Sequence, residues 1–111
     1  MALGVTIRKK DRTKGGKIHL LELAFDSSYP TGGEPLSAAA CGFDRSIDFL
    51  IAEPAAGYTF EYDHTAGTLI ARRGDNANAS AAPAVEVANA VNLSTVTGVR
   101  AFAYGDATQI L

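Results

Sequence analysis

Apolar and polar side chains alternate with a period of two in most of the longer runs of this chain, the repeat expected of strands with one buried face. In segment 4–9, Val5 and Ile7 alternate with Thr6 and Arg8. Segment 17–25 sets Leu21, Leu23 and Phe25 on one face and Ile18 and Leu20 on the other, which predicts a strand covered in part on both sides. Segment 46–53 sets Ile47, Phe49 and Ile51 against Ser46, Asp48 and Leu50, and Pro54 ends it. The clearest hairpin pairs Tyr58, Phe60 and Tyr62, alternating with Thr59, Glu61 and Asp63, against segment 68–73 across the turn His64-Thr65-Ala66-Gly67. Segment 85–87 predicts a short strand. Segment 95–104 predicts a long one, with Phe102 and Tyr104 on one face and Val99, Ala101 and Ala103 on the other.

Turn-forming residues cluster between these runs, at 11–16, 26–33, 64–67 and 74–83, and a further turn is expected at 89–94. In the second cluster Pro30 holds Tyr29 extended, and Gly32 and Gly33 permit positive φ. Ser37 and Gly42 bracket one helical turn as N-cap and stop. Segment 74–83, rich in small residues, reads as a surface loop. The pattern predicts six or seven strands and one short helical turn. That is an all-β, single-domain antiparallel β-sandwich over residues 1–111, jelly-roll-like or immunoglobulin-like, with a small closed barrel as the alternative.

Composition narrows the class further. At 111 residues, 47% hydrophobic and 20% charged, the chain has the size and balance of one folded domain. A net charge of −2 argues against nucleic acid or an anionic membrane as the main partner. The lone Cys41 has no intramolecular disulfide partner. Segment 1–10 lacks the apolar core of a secretory leader, and no run approaches the length of a membrane-spanning helix.

The candidate chemistry is sparse. His19 lies within a predicted strand and His64 at a turn, without the paired spacings of a zinc site. Cys41 sits in an apolar stretch and reads as a small buried hydrophobe rather than a nucleophile. Glu61 and Asp63 share a strand face about 7 Å apart, a spacing that any solvated strand also produces. Tryptophan, the usual sugar platform, is absent. The run Arg8-Lys9-Lys10-Asp11-Arg12-Thr13-Lys14 is the strongest charge feature, either a solvated hairpin tip or an arm meeting an acidic protein surface. No catalytic, cofactor or metal site is expected, which points to binding or architecture.

Several segments carry a resemblance. They are Phe25-Asp26-Ser27-Ser28-Tyr29-Pro30-Thr31-Gly32-Gly33-Glu34-Pro35-Leu36, Gly57-Tyr58-Thr59-Phe60-Glu61-Tyr62-Asp63, Glu86-Val87-Ala88-Asn89 and the closing run 99–105. Together they resemble small virion structural proteins of tailed bacteriophages. The resemblance implies a capsid decoration (cement) protein, made in the host cytoplasm and bound to the outer capsid surface. It also implies the major capsid protein as partner and a homo-oligomer, trimer or dimer, as the binding unit. The alternative in the same setting is a head-fibre or tail-associated adhesin module binding host glycans. A small enzyme using Glu61 or Asp63 is the remote third.

On that reading two contact regions are expected. The first is an amino-terminal arm within residues 1–10, with Ile7, Arg8, Lys9 and Lys10, which would add a strand to a neighbouring sheet. The second is the loop Tyr29, Pro30, Thr31, Gly32, Gly33 and Glu34, with Tyr29 as aromatic anchor. A loop packed on its own sandwich is the competing expectation for that second region.

Overall fold

The computed structural model describes residues 3–13, 15–74 and 85–106, so the predicted 74–83 loop lies, beyond Gly74, outside the described residues. The strands are β1 (Gly4–Arg12), β2 (Lys17–Ala24), β3 (Glu34–Pro35), β4 (Ile47–Ala52), β5 (Tyr58–Asp63), β6 (Thr68–Arg73), β7 (Val85–Glu86) and β8 (Val99–Gly105). A 3-10 turn, Ala39–Cys41, lies between β3 and β4. One antiparallel sheet has the order β1-β2-β8-β4 and the other β3-β6-β5, with β7 also paired to β6. The fold is an all-β sandwich. Its one strand beyond those predicted is the two-residue piece β3, too short to leave a periodic signature, while β7 falls within the predicted 85–87 run.

The inner faces meet in one core. The first sheet contributes Leu21, Leu23, Val99, Ala101 and Ala103, and the second contributes Leu69 and Ala71, all nearly inaccessible. Phe25, Tyr29, Leu36, Cys41, Phe43, Leu93 and Val96 fill the space between them from the connections. Half-buried Tyr58, Phe60 and Tyr62 pack against this core from β5, in keeping with their alternation.

Two strand ends and one register differ from the sequence reading by more than a residue, each for a local reason. Strand β1 runs on to Arg12 because its basic stretch pairs with β2, leaving a tight turn in which Thr13 N–H donates to Gly16 O at 2.7 Å. Strand β8 starts only at Val99, because Val96 N–H turns back to Leu93 O (2.8 Å) while Val96 O accepts Phe25 N–H (2.9 Å). In β4 the register shifts between Ile47 and Phe49. A bulge of this kind re-aims the residues that follow it. Ile47 and Leu50 therefore point inward while Phe49 and Ile51 point out, so the predicted common face of Ile47, Phe49 and Ile51 is broken.

The helical turn stops at Gly42 as expected, but its N-cap is Ala38 rather than Ser37. Ser37 Oγ accepts the Ala40 N–H at 3.2 Å. Gly42 ends the turn with φ 87°, where a Cβ would lie 2.9 Å from Ile7 Cδ1 and 3.0 Å from the His19 ring.

Candidate interaction surfaces

The outer face of the first sheet can be built row by row from its register. Glu22 of β2 stands opposite Arg100 of β8, and Glu53, just past β4, donates its N–H to Arg100 O at 2.8 Å. The next outward row is Lys9, Leu20, Phe102 and Ile51, and the one after it is Asp11, Ile18, Tyr104 and Phe49. These two rows form an apolar block of six side chains: Leu20, Phe102, Ile51, Ile18, Tyr104 and Phe49. Phe49, Ile51 and Phe102 are 54%, 59% and 56% exposed. Ile18 and Leu20, expected to be covered, are only half-buried, because the described residues place nothing over this face. A shallow groove of about 580 Å³ runs between Ile51, Phe102 and Pro54 beside Arg100.

Contiguous exposed apolar area of this kind is characteristic of interaction surfaces. Its sequence signals were Ile18 and Leu20 on the second face of β2 and the pairing of bulky Phe102 and Tyr104 on one face of β8 with Val99, Ala101 and Ala103 on the other. The small set fits a close-packed inner face, which leaves the bulky set outside.

The amino-terminal region is part of the fold rather than a free arm: from Gly4 on it is paired to β2, and Ile7 packs inward. Among the described residues β1 is an edge strand with one side unpaired. Arg8, Lys9 and Lys10 are exposed there, with Arg8 Nε 3.6 Å from Glu22 Oε2. Arg8 occupies the register shift between Ile7 and Lys9. Charge and a bulge are two devices by which edge strands limit indiscriminate pairing.

The Tyr29–Glu34 loop takes the competing form, packed on its own sandwich. Tyr29 has no exposed surface, so it cannot anchor a partner. Its hydroxyl accepts the Ala71 N–H (3.2 Å) and donates to Glu86 (2.8 Å), bridging the gap on β6 between the stretch paired to β3 and the stretch paired to β7. Burial, reinforced by Glu86, pushes its pKa upward, so the phenol remains a donor. Gly32 N–H also donates to Glu86 at 2.7 Å. Gly33 has φ 105°, and a Cβ there would lie 2.8 Å from Leu69 O. Only Thr31 and Gly32 are exposed in this loop; Pro30 is half-buried, and Gly33 and Glu34 are buried.

Glu34 is 1% exposed, and neither of its carboxyl oxygens meets hydrogen-bond geometry among the described residues. Burial first, then neighbouring Asp26, pushes its pKa up to about 7. Asp26 Oδ1 accepts the Ser28 N–H at 3.0 Å, while its Oδ2 is likewise unpartnered. Asp106 behaves oppositely. Desolvation would raise it, yet the N–H groups of Asp44, Arg45 and Ser46 and the nearby Lys17 hold it down at about 2.

The remaining reactive side chains are occupied structurally. His19 Nδ1 lies 2.7 Å from Cys41 O and its ring stacks on Phe43 at 4.6 Å. Burial raises the Cys41 thiol to about 11, which disfavours the thiolate. Glu61 pairs with Arg72 at 2.9 Å, and Asp63 accepts the N–H groups of Thr65 and Ala66 in the hairpin turn. Among the described residues no three His, Cys, Asp or Glu side chains converge as a metal site, and no helix is long and apolar enough to cross a membrane. Comparison of the chain with protein-family models, curated proteins and solved structures gave no match.

Proposed function

We propose that this chain is an adhesive structural protein of the capsid decoration type, which binds an assembled lattice of major capsid protein and acts without turnover. The observation that carries the reading is the apolar outer face of the first sheet, in which Phe49, Ile51 and Phe102 remain more than half exposed on a hydrogen-bonded four-stranded framework. A rigid sheet loses little conformational entropy on docking, so more of the contact energy appears as affinity. The segment resemblance supplies the setting, a bacteriophage virion.

The physical logic of cementing requires no chemistry. A ligand that binds the assembled state but not the dissociated one stabilises it by RT ln(1 + [L]/Kd) at each site. Beside that adhesive face, the edge of β1 left open by the described residues, with Arg8, Lys9 and Lys10, and the exposed tip Thr31-Gly32 are further surfaces we assign to contact with the shell. A homo-oligomer would present several such edges at once and gain avidity without any new kind of contact.

Quantitative protein analysis of purified particles tests this reading. Tens to hundreds of copies per particle are expected, together with breakage at lower temperature when the protein is omitted. A few copies per particle, joined to measurable glycan affinity, would move the assignment to a fibre or tail adhesin. Particles equally stable without it would end the cement role.

A further inference from the structure

We infer that the outer face of the first sheet is the surface through which two copies of this chain pair, face to face, about a two-fold axis parallel to the strands between β2 and β8. The inference builds on the adhesive reading above and names the occupant of that face.

The argument is one of self-complementarity. In an isologous contact of two opposed sheets the axis lies in the interface plane, and each patch must match its own rotated image. An axis along the strands keeps each row at its level and exchanges β1 with β4 and β2 with β8. In the charged row, Glu22 then lies over the second copy's Arg100, and Arg100 over its Glu22, which gives two equivalent ion pairs. In the next row Leu20 meets Phe102, and in the last Ile18 meets Tyr104. The exchange of β1 and β4 sets Lys9 over Ile51 and Asp11 over Phe49, and brings Arg8, at the bulge beside the charged row, towards Glu53 of the second copy. An axis across the strands instead separates Glu22 from Arg100 by the length of the apolar block.

Size agrees with the occupant. Four strands at about 4.8 Å spacing and three outward rows at about 6.7 Å give a flat footprint of roughly 400 Å² per copy. Side-chain relief raises this to roughly 600–800 Å² of accessible surface, the lower edge of what a specific pair buries on each partner. Two stacked twisted sheets pack at a small angle about 10 Å apart, which the level rows permit.

Sedimentation equilibrium of the purified full chain, from roughly 1 to 500 μM, tests the inference, with a micromolar dimer expected. Phe102→Asp, at an exposed position, is expected to weaken pairing by about 100-fold or more. Circular dichroism and thermal melting at low concentration verify that each variant is folded. Arg100→Glu and Glu22→Arg each set like charges against each other twice across the axis, so each alone should be monomeric. Mixed together they should pair, because each chain's altered row then faces its opposite. Failure of the mixture to pair, or a dimer indifferent to Phe102→Asp, would overturn the assignment. A chain monomeric throughout the range would do so as well. If that monomer still loads particles in a Phe102-dependent way, the face belongs to the shell, and only the pairing inference falls.

Discussion

The two faces of β8 make opposite use of side-chain size. Inward it presents Val99, Ala101 and Ala103, each at most 2% exposed; outward it presents Arg100, the 56%-exposed Phe102 and half-buried Tyr104. A hydropathy count alone would turn the phenylalanine in. The interior instead takes its bulk from Leu21, Leu23 and Leu69 and from Phe25 and Tyr29 in the connections, so the central strand contributes small residues. Leaving Phe102 exposed forgoes about 1.5–3 kcal/mol of burial. The sheet tolerates that loss on a face suited to an external partner. The contrast teaches that size complementarity across the sandwich, more than the hydrophobicity of single residues, decides which side is core.

The contrast is most directly broken at Leu21, which has no exposed surface. Leu21→Ala should destabilise by about 3 kcal/mol through lost transfer energy and a residual cavity, measured by urea unfolding. A change under 1 kcal/mol would mean that the inner face is not the packed one.

The buried acid of the second sheet sharpens the same comparison through pH. The folded protein retains the Glu34 proton up to about pH 7, whereas its ordinary value is 4.5. Between those values the fold binds more protons than the unfolded chain, so stability falls as pH rises across the window and levels off above it. The total is about 3 kcal/mol. Glu34→Gln should flatten this dependence in unfolding curves taken from pH 4.5 to 8. Asp106 works at the other end with opposite sign, its contribution being lost as pH falls from 3.8 through about 2.

A smaller effect is expected at Tyr29. Tyr29→Phe keeps the buried ring but leaves the Ala71 N–H without its acceptor, at a cost of about 1–3 kcal/mol in chemical denaturation. The same change frees Glu86 from one of its two donors in this loop, and hydrogen exchange at Gly32 should quicken. The smallest effect belongs to the outer face: Phe102→Ala should change the stability of the dilute, unpaired chain by no more than about 0.5 kcal/mol. A loss near that of Leu21→Ala would show Phe102 to be a core residue.

The local chemistry of the chain determined a good deal unaided. The alternation of Leu21, Leu23 and Phe25, the hairpin of β5 and β6 and the opposite faces of β8 were legible because strand period and turn preference act between near neighbours. Gly42 marked the end of the helical turn for the same reason. Tertiary structure alone decided the rest. The bulge after Ile47 sends Phe49 and Ile51 outward because of how β4 pairs with β8, a contact about fifty residues away in sequence, and the apolar block exists only once β2, β8 and β4 lie side by side. Tyr29 read as a surface anchor because its loop is polar and turn-rich. It is internal because β3 and β7 are both short, leaving an unpaired N–H on β6 that its hydroxyl satisfies. Partners brought together from distant parts of the chain leave no period in the sequence, and they settle which side of a strand meets water.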